Sequence, residues 1–92
     1  MTDHIEPILR RPRVEEAIGL SRSSIYMRVS QGLFPRPVAL GPRAVGWPAG
    51  EVAAINAARI AGRTDDEIRA LVTQLEAART ATVDGDGDQE GR

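Results

Sequence analysis

Apolar positions recur at helical spacing early in the chain, and they predict two short helices joined by a tight turn. Val14 and Ile18 lie four residues apart on one face of the first helix, which we expect to end at Gly19. Ser21 is the predicted N-cap of a second helix over residues 22–31, because its hydroxyl can accept from free backbone N–H groups of the first turn. Two short helices across so short a connection are typical of a helix-turn-helix.

The segment after the second helix predicts a β-hairpin. Two prolines forbid helix over residues 33–37, and short β-prone runs lie on both sides of Gly41-Pro42-Arg43. A hairpin placed directly after a helix-turn-helix is a wing, with Arg43 at its tip. The side chains expected to enter the core here are Phe34, Val38, Leu40 and Trp47, the last holding the hairpin against the helices.

The remaining sequence predicts two more helices. Pro48 begins a third helix that ends at Gly62, and Thr64 with Glu67 forms a capping box that begins a fourth. The fourth helix carries the clearest amphipathic pattern of the chain. We predict that its apolar stripe contacts a partner, with packing back onto the domain as the open alternative. The stripe consists of Ile68, Leu71, Val72 and Leu75.

These elements divide the chain into four predicted parts. Residues 1–9 are a flexible lead, residues 10–62 a winged helix-turn-helix domain, residues 63–80 an amphipathic helix and residues 81–92 a disordered acidic tail rich in Gly and Asp. The fold class is therefore mainly α with a small β-hairpin wing.

Charge is distributed unevenly along the chain. Residues 1–63 carry nine arginines against five acids, whereas residues 64–92 carry three arginines against eight acids, for a net charge of −1. Every basic side chain apart from the single histidine is arginine, which suits bidentate contacts to phosphate and guanine. Codon usage in a GC-rich genome explains the same bias, but the basic front half still predicts an anionic partner.

The composition excludes several classes of function. Cysteine is absent and His4 is the single histidine, so we expect no disulfide, no metal site and no cofactor. The serines have no folded histidine to activate them, and no phosphate-loop or dinucleotide motif is present, so the chain is not predicted to be an enzyme. No apolar run approaches 18 residues and no signal peptide is recognisable, which predicts a cytoplasmic protein without membrane contact.

Several motifs in this order resemble the AlpA-type regulators of phages and mobile elements and the related excisionases, or recombination directionality factors, with their MerR-like winged helix-turn-helix. The shared pattern runs Gly-Leu-Ser-Arg-Ser-Thr-Ile-Tyr, Gly-x-Phe-Pro-x-Pro, a basic hairpin ending in Gly-Trp, and Glu-Val. The resemblance covers Val14 to Arg59, about half of the chain. Three positions depart from the pattern: Ser24 replaces Thr, Met27 stands where a basic residue is common, and Ile55 stands where Trp is frequent.

The resemblance implies a domain, over residues 10–62, that binds double-stranded DNA with its second helix in the major groove and its wing in the adjacent minor groove. We predict an excisionase that assembles on attachment-site DNA and directs an integrase toward excision, with a possible role in transcription. One alternative is an AlpA-like transcriptional regulator only. A second alternative is a protein-interaction module without DNA binding.

A helical wheel separates the faces of the second helix. Ile25 and Val29 face the core together with Leu20, and the opposite edge faces outward. The candidate DNA contacts on this helix are Arg22, Ser23, Ser24, Tyr26, Met27 and Ser30, with packing of Tyr26 against the wing as the open alternative. The candidates on the wing and flanks are Arg43, Arg36 and Arg11.

The size of the domain suggests how it would assemble. A single winged domain covers little DNA, so we expect several copies side by side on repeated sites. Direct repeats imply head-to-tail self-association, which forms open assemblies rather than closed dimers. An integrase of the tyrosine or serine recombinase class is the other expected protein partner, no small-molecule substrate is expected, and the protein should be associated with the bacterial nucleoid.

Overall fold

The structure is a computed structural model that describes residues 5–91, with side chains described through residue 80. The described chain is mainly helical with a small antiparallel sheet. Its elements are β1 (Ile8–Arg10), α1 (Arg11–Ile18), α2 (Arg22–Ser30), β2 (Val38–Gly41), β3 (Ala44–Pro48), α3 (Ala49–Ile60) and α4 (Asp65–Gly91).

The predicted helix-turn-helix is confirmed. Helix α1 ends at Gly19, whose φ of 73° lies in the left-handed region that favours glycine. The Ser21 hydroxyl accepts the backbone N–H of Ser24 at 3.3 Å, as an N-cap does. Helix α2 ends at Ser30, one residue before the predicted boundary, which is within the normal variation of helix ends.

The wing is confirmed as well, but it belongs to a sheet of three strands with the order β1-β3-β2. Two of the three residues of β1, Ile8 and Leu9, belong to the segment 1–9 that the sequence assigned to a flexible lead, so that part of the prediction needs correction. Its backbone pairs with β3 from Ile8↔Pro48 to Arg10↔Gly46. Gly46 permits this pairing, because a Cβ there would lie 2.6 Å from the Ile8 Cγ2 atom.

The residues before β1 are also tied to the domain. The Glu6 carboxylate accepts the Gly50 N–H at 2.6 Å, and the Pro7 carbonyl accepts the Ala49 N–H at 2.8 Å. Both contacts satisfy backbone donors in the first turn of α3, which have no acceptor within the helix. From Glu6 onward, the predicted flexible lead is therefore bound to the start of α3. Residues 1–4 lie outside the described part of the chain.

Trp47 lies at the centre of the hydrophobic core. Its side chain is fully buried, its ring centroid is 5.9 Å from that of Phe34, and its indole N–H donates to the Pro35 carbonyl at 2.7 Å. Leu40 was predicted as core but is 44% exposed, because it points to the outer face of the sheet. Val38 is half-buried. The buried apolar side chains are Val14, Ile25, Leu33, Phe34, Trp47, Val52, Ile55, Ile68 and Val72.

Helix α4 packs back onto the domain. Ile68 is fully buried and Val72 is 5% exposed within the same core, while Leu71 and Leu75 pack against it and are half-buried. The prediction that Ile68 and Val72 contact a partner is therefore wrong, and the alternative left open above is the arrangement found. The physical reason is that residues 10–62 leave an apolar surface which this stripe covers.

The start of α4 is the predicted capping box. The Thr64 hydroxyl accepts the Glu67 N–H at 3.1 Å, and the Glu67 carboxylate accepts the Thr64 N–H at 2.9 Å. The helix continues to Gly91, past the predicted boundary at residue 80. The side chains of residues 81–92 lie outside the described part of the chain, and the disordered acidic tail stays a prediction. Among the described residues, no helix has the length and apolar character needed to cross a membrane.

Candidate nucleic-acid interface

Helix α2 has one buried edge and one exposed edge. Ile25 is fully buried in the core, and Val29 packs against it. On the opposite edge Met27 is 58% exposed, and Arg22 and Ser23 are exposed at the start of the helix. The exposed edge therefore combines an apolar side chain, a hydroxyl and a guanidinium, which are groups that can contact base edges and phosphates.

The first turn of α2 presents backbone donors to the solvent side. The N–H groups of Arg22 and Ser23 stand at the helix start, where no carbonyl precedes them within the helix. Ser24 differs from its predicted role, since it is half-buried and its N–H and hydroxyl are both bonded to Ser21. The geometry therefore gives Ser24 a capping contact and leaves Arg22 and Ser23 accessible to an anion.

Tyr26 lies between α2 and the wing. Its ring centroid is 6.1 Å from that of Trp47, with the ring planes tilted by 57°. The side chain is nevertheless just over one third exposed. Packing against the wing, which was the open alternative for this residue, is thus what the structure shows, and it fixes the side of α2 that faces the hairpin. Arg22 lies one helical turn before Tyr26 and on the same side of α2.

The tip of the wing carries Arg43. This residue lies in the turn between β2 and β3 and is exposed, as the sequence predicted. The turn follows a strand that pairs with β3, so the hairpin holds the guanidinium away from the core.

The other two predicted arginines are engaged with acids. The Arg36 backbone N–H donates to Glu76 at 2.8 Å, and its guanidinium lies 3.3 Å from the same carboxylate. The Arg11 guanidinium donates to Glu15 at 2.9 Å. Arg43 is therefore more available to bind a phosphate than either Arg36 or Arg11, whose guanidinium groups already contact carboxylates. Ser30, the last residue of α2, donates its hydroxyl to the Met27 carbonyl at 2.6 Å.

An ion pair between partly buried Arg79 and buried Glu51 fixes α4 against α3. The Arg79 guanidinium donates two hydrogen bonds to the Glu51 carboxylate, at 2.8 and 2.6 Å. It donates a third to the Arg36 carbonyl at 2.7 Å. The hydrogen bond to Glu51 raises the pKa of Arg79 above its usual range, against the opposing effect of burial, with further support from the charges of Glu51 and Glu76. Glu51, in the first turn of α3, therefore binds α4 through Arg79.

The end of α2 is also held by α4. The Arg69 guanidinium donates to the Gln31 carbonyl at 2.9 Å, at the C-terminal end of α2. A cation is favourable there because the helix dipole places partial negative charge on the last carbonyls. Sequence reasoning missed this contact, since a separation of 38 residues leaves no local signal.

A groove runs along the side of α2 that faces away from the wing. It is lined by Ser24 and Met27 from α2, and by Arg59 and Asp65 from the end of α3 and the start of α4. Arg59 and Asp65 form an ion pair at 3.3 Å. Helix α2 is therefore flanked on one side by the wing and on the other by the connection between α3 and α4.

A helix-turn-helix with an exposed second helix and an adjoining wing defines the chain as a winged helix-turn-helix protein. The family model described as "Prophage CP4-57 regulatory protein (AlpA)" matches residues 7–59, more than half of the sequence, and the chain belongs to this family. This is a regulatory, DNA-binding family rather than an enzymatic one. The comparison supports the resemblance seen in the sequence motifs.

A similar protein is found in a bacteriophage. The "Uncharacterized protein ORF88" of Enterobacteria phage P4 is 50% identical over 58 residues, which is 63% of this chain and 66% of that protein. The match thus spans slightly less than two thirds of the phage protein. No solved structure matches the chain significantly.

Proposed function

We propose that this protein binds specific sites in double-stranded DNA of an integrated mobile element and acts there as a recombination directionality factor. In this role it assembles on attachment-site DNA and directs the integrase toward excision, and it also regulates transcription. The observation that carries the DNA-binding mode is the exposed edge of α2 next to the wing. The family match supports a regulatory role in phage biology.

The first turn of α2 enters the major groove in this proposal. Arg22 contacts phosphate or the O6 and N7 acceptors of guanine, and Ser23 allows the free backbone N–H groups to approach a phosphate. Met27, which is largely exposed, packs on the methyl group of a thymine. Because Tyr26 is held against Trp47, it positions α2 relative to the wing and reaches the DNA only through its exposed part.

The wing tip contacts the adjacent minor groove or its phosphates. Arg43 is exposed in the β2–β3 turn, where it is held by the paired strands. Its loss is expected to weaken binding to every sequence by a similar factor, since phosphates carry no sequence information.

Two alternatives predict different DNA targets. A transcriptional regulator without a role in recombination would use the same surface but occupy a promoter. An interaction module without DNA binding loses its main support, because Ile68 and Val72 of α4 belong to the core rather than to a free surface. The attachment-site role is preferred because several small domains on repeated sites can hold DNA in a bent form.

A binding titration tests the proposal. Purified protein is titrated against labelled attachment-site DNA, DNA upstream of its own gene and a shuffled fragment, each at two salt concentrations with competitor DNA. Stepwise complexes that prefer the attachment site support a directionality factor, whereas a single complex confined to the promoter favours the regulator. Absence of any preference over the shuffled fragment at low salt would contradict DNA-binding function.

Paired variants connect the result to α2. We expect Arg22→Ala to weaken specific binding by about tenfold, the effect of losing about 1.4 kcal/mol from a good base or phosphate contact. Arg63→Ala is the matched control, because this exposed arginine lies in the connection after α3 and loses the same charge. Equal losses from both variants would assign the effect to net charge rather than to the recognition helix.

A further inference from the structure

A small apolar pocket lies between the turn of the helix-turn-helix and α3. It has a volume of about 220 Å³ and is half open to solvent. For comparison, an engineered apolar cavity of about 150 Å³ in another protein holds one benzene molecule. The pocket is therefore large enough for one ring or a short hydrocarbon chain. Its apolar lining side chains are Ile18, Leu20, Leu33, Phe34 and Ile55.

The walls of the pocket are held in place by the domain itself. Phe34 and Ile55 are buried in the core, at 2% and 3% exposure. The Asn56 side-chain amide, which also lines the pocket, donates to the Ala17 carbonyl at 2.9 Å and joins α3 to α1 there. Sites for small molecules are typically concave, mostly apolar and largely pre-formed, with a few polar groups that fix orientation. This pocket has the shape, the apolar lining and the fixed walls of such a site.

Two arginines lie at the polar end of the pocket. Arg28 of α2 and Arg59 of α3 line both the pocket and the groove beside α2, so the two spaces meet there. Arg28 is half-buried, and its guanidinium has no hydrogen-bond or ion-pair partner among the described residues. Because partial burial of an unpaired charge is unfavourable, an anion that enters from the groove would be stabilised by this side chain.

Arg59 has a donor that the rest of the chain leaves unsatisfied. Its Nη1 atom lies 3.3 Å from the Asp65 carboxylate, whereas its Nη2 atom is buried and has no acceptor among the described residues. A buried donor without an acceptor costs free energy, and a charge-assisted bond to a carboxylate removes that cost. Asp65 lines the groove but not the pocket. The side chain of Arg59 is one third exposed, so it can turn toward an oxygen that enters from the pocket.

We propose that this pocket binds a small apolar carboxylic acid, an arylcarboxylate or alkylcarboxylate, in its ionised form. The hydrocarbon part packs among the apolar side chains, and the carboxylate accepts from Arg28 and from Nη2 of Arg59. A bare inorganic anion would leave the apolar walls unused, and a neutral hydrocarbon would leave the arginine donor unpaired, so neither fits the whole site. The acid is a ligand that undergoes no reaction, and it bridges α2 and α3. The inference does not depend on DNA binding.

Methyl NMR on isoleucine-labelled protein measures binding to the unchanged chain. Phenylacetate is the probe, the methyl signals of Ile18 and Ile55 report on the pocket, and exposed Ile5 is the internal reference. We expect saturable shifts at Ile18 and Ile55 with a Kd of about 1 mM or below, which a ligand of this size can reach, and no shift at Ile5. Benzyl alcohol keeps the ring without the charge, and acetate keeps the charge without the ring. Each should bind at least about tenfold more weakly than phenylacetate.

Charge-removing variants locate the carboxylate. Arg28→Gln and Arg59→Gln should each weaken phenylacetate binding by about tenfold, because each loses a charge-assisted hydrogen bond. Binding of benzyl alcohol should change less than twofold, which a general loss of structure would not allow. Arg63→Gln is the matched control, since this exposed arginine follows α3, does not line the pocket and loses the same charge. Its Kd for phenylacetate should stay within twofold of that of the unchanged protein.

A filling variant tests where the ring lies. Ile18→Trp replaces a half-buried side chain of the wall by a larger one and should weaken phenylacetate binding by at least about tenfold, because the space for the ring is lost. Urea titration with circular dichroism shows whether this variant is folded. If it is not, the ligand panel and the two arginine variants decide the question without it.

Three outcomes would overturn the site. Absence of saturable shifts up to about 10 mM phenylacetate would show that the pocket takes no such ligand. Equal affinities for phenylacetate, acetate and inorganic phosphate would assign the anion to the arginines alone, without the apolar pocket. Unchanged phenylacetate affinity in both Arg28→Gln and Arg59→Gln would show that the carboxylate lies elsewhere. None of these results bears on DNA binding, which the titration described above measures separately.

Discussion

At the scale of single residues, the domain depends on one tryptophan. The chain has three aromatic residues, and Trp47 contacts both of the others, with Phe34 in the core and Tyr26 on α2. It also satisfies the Pro35 carbonyl in a segment where proline removes backbone donors. The position of α2 relative to the wing is thus fixed by a residue that need not touch DNA.

The hydrogen bond of this residue gives a measurable prediction. Trp47→Phe keeps an aromatic ring but leaves the buried Pro35 carbonyl without its donor and leaves a small cavity. We expect the free energy of unfolding to fall by about 2–3 kcal/mol, measured by urea titration with far-UV circular dichroism. Tyr26→Phe keeps the ring contact and is the control, with an expected change within about 0.5 kcal/mol. Equal stability of Trp47→Phe and the unchanged protein would show that the indole N–H does not matter.

At the scale of elements, α4 is part of the domain and holds three of the other parts in place. It fills the core with Ile68 and Val72, reaches the end of α2 through Arg69 and reaches the start of α3 through Arg79. Glu76 holds the proline-rich segment through Arg36. Helix α2 is therefore supported on its inner side by an element that lies outside residues 7–59, which the family model matches.

Arg79→Leu tests this role of α4. The change leaves the Glu51 carboxylate buried and unpaired, so we expect a loss of about 3 kcal/mol in the free energy of unfolding. The double variant Glu51→Leu with Arg79→Leu should recover most of the stability, because two apolar side chains of similar volume can replace a buried ion pair. A loss below about 0.5 kcal/mol in Arg79→Leu would mean that the pair does not hold α4.

The pH dependence of this contribution follows from its sign. The pKa of Arg79 is higher in the folded than in the unfolded chain, so its contribution is complete below the unfolded pKa and is lost only as pH rises through the folded pKa. Both values lie above the neutral range. The arginine therefore contributes the same free energy of unfolding from neutral to moderately alkaline pH. The difference in free energy of unfolding between the unchanged protein and Arg79→Leu should stay constant over that range.

The sequence predicted the elements better than it predicted their neighbours. Gly19, Ser21 and Thr64 act through local backbone geometry, so the helix-turn-helix and the capping box could be recognised from short motifs. Strand β1 has three residues, which is too few to show a period, and its pairing depends on the missing side chain of Gly46. The apolar stripe of α4 indicated a buried face but did not indicate which surface covers it.

The candidate site shows the same division. The exposed edge of α2 followed from helical spacing alone, and Met27 and Ser23 are where the wheel placed them. The neutralisation of Arg36 by Glu76 joins residues 40 positions apart, and no local pattern contains that information. Long-range ion pairs therefore decide which of the predicted basic residues stay available to DNA.

At the scale of the whole molecule, charge is sorted between faces. Arg22 at the start of α2 and Arg43 at the wing tip are exposed arginines of the front half, whereas much of the acidic charge belongs to α4 and its start. A DNA duplex approaching α2 and the wing therefore meets Arg22 and Arg43, with Asp65 and Asp66 at the start of α4 to one side of α2. The protein is therefore asymmetric in charge, which the net charge of −1 does not show.

Salt dependence measures which arginines take part. The logarithm of the binding constant for DNA falls with the logarithm of salt concentration, with a slope of about −0.9 per phosphate neutralised. We expect Arg43→Ala to reduce the magnitude of that slope by about one and to weaken binding to specific and shuffled DNA alike.

Arg36→Ala should leave the slope unchanged, because Glu76 already neutralises this side chain. Met27→Ala should weaken specific binding with no change in slope, since a thymine methyl contact releases no counterion. If Arg36→Ala instead lowers the slope as much as Arg43→Ala does, the Glu76 contact opens when DNA binds and the proline-rich segment joins the interface.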